Sequence, residues 1–322
     1  MHTVGAPWMW LAFVAFVLAM LALDLGVMHR RSHVVHAREA LAFSAVWVGL
    51  AVAFGASVVL FLGLEKGTEF FAGYLVEKSL SVDNLFVFVA LFDALAIPRE
   101  FQHRVLFWGI LTALVLRAAM IVGGAALLAR FEWLLYAFGA FLVLTGWKFW
   151  RRRGREEPAG TAWVLRLIRR WVPSSDRLRG AAFLAREGGR WVATPLLLGL
   201  AAIEVADVAF AVDSIPAVFA VTSDPFIVFT SNVFAILGLR SLYFLLADAV
   251  NRLVHLRAGL AVALVFVGAK MLVAPVLEVS VAASLAVICG ILAASVAASL
   301  LRPGARVPAG PLPPASRRPE TP

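Results

Sequence analysis

Two apolar stretches of this chain carry the same pattern of acids. Glu77 to Asn84 reads Glu-Lys-Ser-Leu-Ser-Val-Asp-Asn, and Glu204 to Ser214 reads Glu-Val-Ala-Asp-Val-Ala-Phe-Ala-Val-Asp-Ser. Glu77-x5-Asp83-Asn84 lies over Asp207-x5-Asp213-Ser214, with Val82 and Val212 aligned. Even on the most lenient scale, a charged residue at the centre of a bilayer-spanning helix costs about 2.5–3.5 kcal/mol, and by default it marks an ion or substrate path. Few folds tolerate two such insertions.

Composition says that these stretches do cross a bilayer. The chain is 62% hydrophobic and 15% charged, whereas a soluble domain carries roughly 25% charged residues. The apolar runs predict an all-α polytopic membrane protein of nine spans, at 8–28, 41–64, 70–92, 105–128, 131–150, 192–221, 226–247, 257–275 and 279–301. The first span is too long for a signal-peptide core and is expected to stay as an anchor. Residues 1–301 then form one transmembrane domain. The tail 302–322, with seven prolines and no apolar run, is expected to be disordered.

Net charge is +9, which taken alone would suggest nucleic acid. Its distribution argues for membrane orientation instead. Between Arg151 and Arg190 there are 11 arginines against four acids, and His29-Arg30-Arg31, Arg99, Arg104, Arg252, Arg257 and the tail hold much of the rest. With the N-terminus outside, nine spans place all these segments in the cytoplasm, while the opposite loops are neutral or acidic. This implies a multi-pass membrane protein with its N-terminus outside and its C-terminus in the cytoplasm. The piece Trp163 to Trp171 in the arginine-rich loop is amphipathic, and suits either anionic lipid or a solvated connector.

The correspondence extends beyond the acids. Asp83 is followed by Leu116-Arg117 and then Gly146-Trp147-Lys148; Asp213 is followed by Leu239-Arg240 and then Gly268-Ala269-Lys270. The Arg-to-Lys interval is 31 residues in one copy and 30 in the other. Each copy is therefore three spans (70–150 and 192–275), and an odd-numbered repeat must enter the membrane in opposite senses. Inverted repeats that share a midplane site are a recurring plan of secondary transporters. Arg117 and Arg240 lie too deep to snorkel, so they are expected to hold the acids or balance their charge. Lys148 and Lys270 read as interfacial.

Helical spacing sorts the polar residues into two stripes. Glu77, Ser81 and Asn84 share a face, as do Glu204, Asp207, Ala211 and Ser214. Asp83 and Asp213 stand roughly 120° off those faces in a regular helix. Either the stripes face different cavities or the helix unwinds, and Pro216 makes unwinding after Asp213 plausible. All candidate ligands are oxygen donors, which suit Mn, Mg or Ca better than Zn or Cu. The single cysteine, Cys289, excludes an intrachain disulfide and offers no thiol metal site.

At these residues the chain resembles the TerC family of integral membrane proteins, the group that includes Alx-like members. Glu77 to Phe88, Phe210 to Val221 and Asp224 to Leu246 carry the resemblance, which covers about residues 8–300. It implies manganese export, with links to alkaline pH and tellurium resistance. It also implies metal-site roles for Glu77, Asp83, Asn84, Glu204, Asp207, Asp213, Ser214 and Asn232. The expected function is thus a divalent-cation exporter working by alternating access, with protons as the counter-ion and no resident cofactor. The competing expectation is a subunit of a membrane-assembly or stress complex without transport activity of its own. No catalytic motif in a suitable context suggests an enzyme.

Overall fold

Several helix boundaries follow from a local stop or start signal. The computed structural model describes residues 3–28, 37–131, 133–152, 159–187, 189–246, 255–274, 276 and 279–301. Helices α1 (Pro7–Met28), α2 (Ala37–Leu62), α3 (Leu64–Ala94), α4 (Arg99–Arg130) and α5 (Leu134–Arg152) come first. Gly63, at φ 95°, makes the turn between α2 and α3. Pro98 precedes α4, where its fixed φ and missing N–H suit a helix start. Then come α6 (Ala159–Trp171), strands β1 (Leu184–Glu187) and β2 (Arg190–Ala193), and α7 (Pro195–Phe219), which opens on Thr194 with Pro195 at its first position. Helices α8 (Pro225–Leu237), α9 (Leu239–Leu246), α10 (Leu256–Val273) and α11 (Val281–Leu301) complete the chain.

The protein is a mostly helical membrane protein. Among the described residues, five segments are long and apolar enough to cross a bilayer: Glu39–Leu62, Arg99–Arg130, Pro195–Phe219, Pro225–Leu245 and Val281–Ser299. Shorter apolar helices occupy Pro7–Leu23, Leu134–Lys148 and Ala258–Val273. Helix α3 has the length but carries Glu77, Lys78 and Asp83 along its middle. In the most apolar 18-residue stretch of each, 89% of the residues are buried in Pro225–Leu245, against 22% in Glu39–Leu62 and 17% in Val281–Ser299, so α8 and α9 lie at the centre of the bundle.

Among the described residues, three apolar clusters hold the bundle. One joins α3, α4, α5, α7, α10 and α11 around Leu142, Val218, Leu264 and Met271. A second gathers Phe88, Leu91, Phe92, Leu196, Ile203 and Tyr243 where α3, α4, α7 and α9 meet. The third is aromatic: Phe13, Phe54, Phe70, Phe226 and Phe234 seat α1 and α2 on α3 and α8, with Phe54 and Phe234 centroids 5.0 Å apart. At one end of the bundle, Asp224 caps α8 through the Phe226 and Ile227 amides. It also accepts from the Val4 amide at 2.7 Å and the Thr3 hydroxyl at 3.1 Å, tying the N-terminal segment to α8.

One sequence expectation needs correction, and one open alternative is decided. The chain is not wholly helical: β1 and β2 form an antiparallel hairpin in the arginine-rich loop, turned by Gly189 at φ 80°. Helix α7 also runs through Pro216 without unwinding, because one missing N–H removes one bond while the flanking bonds, such as Ala220 N–H to the Pro216 carbonyl, remain. The break falls instead at Gly238, between α8 and α9. There the Lys78 ammonium donates to the Ala235 carbonyl at 3.2 Å, a carbonyl that the helix end frees. The expected disorder of 302–322 lies outside the described residues.

Helices α5 and α10 approach so closely that their backbones touch. A Cβ at Gly268 would sit 2.6 Å from the Gly139 carbonyl, and one at Gly146 2.7 Å from the Ala261 carbonyl. Close approach through small residues is a general way to pack helices in lipid. Gly268→Val and Gly146→Val are therefore expected to lower the melting temperature of the detergent-purified protein, at an overpacking cost of about 1–3 kcal/mol. Gly123→Ala, with open space around its Cβ position, should not. Equal melting temperatures for all three variants would refute the close approach.

Candidate functional site

Among the described side chains, the repeated acids do not form one cluster. Arg117, in the middle of α4, reaches across to α7 and α3 at once. Its Nε and Nη2 donate to Asp207 Oδ2 and Oδ1 at 3.1 and 2.7 Å, a two-pronged pairing that matches the planar fork to the carboxylate. Its Nη1 donates to Glu77 Oε1 and, at 3.4 Å, to Ser214 Oγ. Arg117 is 2% exposed, Glu77 0% and Asp207 4%, so two carboxylates share one guanidinium out of reach of bulk water. Such a group is costly to build and costlier to break, since removing one partner strands a buried charge.

The α3 stripe extends this buried surface. Ser81 is wholly buried one turn beyond Glu77, and Asn84 is buried one turn further. Asn232 is 0% exposed on α8, which packs against α3. Glu77 Oε2, Ser81 Oγ and both amide atoms of Asn232 have no hydrogen-bond partner among the described residues. Buried polar atoms in finished interiors are nearly always bonded, so unmet oxygens of this kind require an explanation. Arg240, on α9, is 4% exposed, and with Asp207 it borders a small cavity whose other walls include Phe88, Gly109, Ala113 and Ile203.

The other acids stand apart. Glu204, one turn before Asp207, accepts from the Thr112 hydroxyl of α4 through Oε1, while its Oε2 is buried without a partner. Asp213 turns toward α5, where Thr145 bonds to it and the Lys148 ammonium lies nearby. The two stripes on α7 therefore face different surroundings, one inward to Arg117 and one toward α5. Lys148, expected at the interface, is exposed yet attends Asp213. Asp83 belongs to α3, and its side chain lies outside the described residues. Among the described residues, no three His, Cys, Asp or Glu side chains gather as a metal cluster.

Sequence reasoning missed two polar side chains with defined work. Thr112 carries no charge, and a lone threonine in an apolar helix gives no signal beyond its hydroxyl. Lys78, adjacent to Glu77 in sequence, reaches the α8 end rather than the acids, donating to the Ala235 carbonyl. Gly238, inside an otherwise strongly apolar run, was the available clue to that break.

Residues 62–306 match the family model described as "Integral membrane protein TerC family". A membrane protein of Myxococcus xanthus is 56% identical over 300 residues, covering 93% of this chain and 94% of the relative. Relatives from Salmonella typhi and Escherichia coli K12, each named as a proposed membrane-bound redox modulator, Alx, are 46% identical over 301 residues, covering 91% of this chain and 94% of theirs. No solved structure matches the chain.

Arg117→Met should destabilise the protein by about 3–5 kcal/mol, the usual consequence of stranding buried charge. Glu77→Gln with Asp207→Asn on the same background should restore much of the loss, because the stranded charges go too. Thermal unfolding of the detergent-purified variants reads both effects. An Arg117→Met protein as stable as its parent would show that the shared guanidinium holds nothing together.

Proposed function

The chain belongs to the TerC family of integral membrane proteins, and we propose that it exports divalent metal cations, manganese(II) above all, by alternating access coupled to protons. One observation carries this reading: two buried carboxylates on neighbouring helices share a single arginine, while Glu77 Oε2, Ser81 Oγ on the same helix face and the buried Asn232 amide of α8 lack partners among the described residues. A hard divalent ion suits that donor set of carboxylate, hydroxyl and amide oxygens. Arg117 then serves as the resident cation of the metal-free site. A metal ion arriving at Glu77 and Asp207 competes with the guanidinium for the same oxygens, and protons compete when the metal has left. Alternation between these occupants is the coupling an exchanger needs.

The architecture we propose is nine spans, with α8 and α9 counted as one broken span and α6 lying outside. Helices α3–α5 and α7–α10 form two inverted copies. The contacts support this. Glu77 and Asp207 occupy matching places in the two motifs, and one arginine bonds both. Gly139 meets Gly268, and the matching pair, Ala261 and Gly146, meets in the same way. A two-fold axis in the membrane plane would relate these contacts. Charge distribution supports an N-terminus outside and a C-terminus in the cytoplasm.

A redox role, the one named for the relatives, finds less support in this chain. Its single thiol, Cys289, lies exposed on α11 and has no cysteine with which to form an intrachain disulfide. Redox chemistry would need a carrier from elsewhere.

Cells deprived of their own manganese efflux and expressing this chain should hold less manganese than cells with an empty vector. Glu77→Gln and Asp207→Asn should each abolish the effect at near-normal membrane levels, and the double substitution should be no worse than either alone. Such non-additivity is expected of residues acting as one unit. Asp83→Asn and Asp213→Asn test whether the second stripe belongs to the same path. Unchanged cellular manganese on expression of the parent chain would end the exporter reading.

A further inference from the structure

The arginine-rich segment between α5 and α7 is a built platform. Its fixed points are clear. Thr194, at the start of α7, donates to the Ala182 and Phe183 carbonyls at 2.7 and 3.1 Å. The Arg104 guanidinium of α4 lies 5.3 Å from the centre of the Phe183 ring. Ile168 of α6 is buried in the apolar cluster that α3, α4 and α7 share, with Leu165 packed beside it. Helix α6 and the hairpin are thus seated on the bundle at the end where α7 begins.

What the platform leaves uncovered is unusual. Trp171 is 77% exposed, Trp191 65% and Leu184 51%. In the hairpin, Leu184 and Arg186 are two residues apart on β1, and Arg186 pairs across to Trp191, so these three side chains share one face. Trp171 ends α6 two residues before Pro173, whose carbonyl accepts from the Ala193 amide, so both tryptophans flank one junction. A solvated connector has no use for two bare indoles. Indoles, with an apolar ring and a single N–H donor, collect at the headgroup level of membranes.

Charge points the same way. From Arg166 to Arg190 there are seven arginines against two acids. Both acids are already engaged, Asp176 by Arg169 at 3.0 Å and Glu187 by Arg179 at 3.4 Å. Arg170, Arg177 and Arg190 have no acidic partner among the described residues, and Arg186 reaches only the Gly189 carbonyl. An apolar face beside surplus cations is complementary to an anionic leaflet.

We propose that Trp171, Trp191 and Leu184, with Arg170 and Arg186, seat this platform on the anionic phospholipid headgroups around α7. Bonded to the first residues of α7, the platform links lipid charge to the helix that carries Glu204, Asp207 and Asp213. The proposal does not depend on what the protein transports.

The full chain, with Cys289→Ser and Trp191→Cys carrying a nitroxide, is placed in nanodiscs of phosphatidylcholine alone or of phosphatidylcholine with phosphatidylglycerol. Collision with a water-soluble nickel chelate and with oxygen is then measured. Phosphatidylglycerol should lower nickel access several-fold and raise oxygen access. High salt, or Arg170→Gln with Arg186→Gln, should reverse the change, and a label at Leu184→Cys should behave alike. Nickel access that is high and equal in both lipids would overturn the proposal. So would shielding that is equal in both lipids and in detergent, since protein rather than headgroup would then cover the face.

Discussion

Arg117 is the constraint around which the rest of this membrane protein is arranged. A guanidinium keeps its charge, so burying one to 2% exposure is costly unless acids meet it, and two do, from different helices. That requirement fixes the mutual rotation of α3, α4 and α7: Glu77, Arg117 and Asp207 must all point to one spot. The apolar clusters on either side can slide by small amounts without much loss, whereas a paired charge in a low-dielectric interior cannot. On the proposed reading, the same arrangement suits exchange. Three charges of two signs leave one negative charge over, and a divalent ion or protons can take up what the arginine does not satisfy.

The centre of the bundle adds a second device. Helices α8 and α9 form the most enclosed span, yet they break at Gly238, and the carbonyl freed there is met by Lys78 from the residue next to Glu77. A broken helix at membrane depth is tolerated where protein surrounds it. Lys78 and Glu77, adjacent on α3, therefore point to different tasks, one holding the break and the other meeting Arg117. Movement of α3 that disturbed either contact would disturb both.

Much of this was legible in the sequence. The apolar runs gave the helices, and the spacing of Glu77, Ser81 and Asn84 gave a face that is buried throughout. The matched acids and Arg117 pointed to charge pairing at depth. What could not be read was the choice of partner. Asp213 stands six residues beyond Asp207, and periodicity alone cannot say whether a helix bends to unite them; α7 stays regular, so Asp213 turns to Thr145 and Lys148 instead. The hairpin was hidden because Leu184 to Ala193 mixes arginine, glutamate and tryptophan with no clean alternation. Its pairing rests on a tight turn at Gly189 and on the anchor at Thr194.

The central claim is that the carboxylates held by Arg117 receive the transported ion. Its most direct test is flux through the purified protein alone, reconstituted in liposomes that enclose a manganese-sensitive dye under an imposed proton gradient. The account predicts manganese(II) movement that collapses with the gradient and is absent from Glu77→Gln and Asp207→Asn proteoliposomes. Undiminished flux in both variants would place the path elsewhere. Activity that appears only when partner proteins are added would make this chain a subunit rather than a transporter.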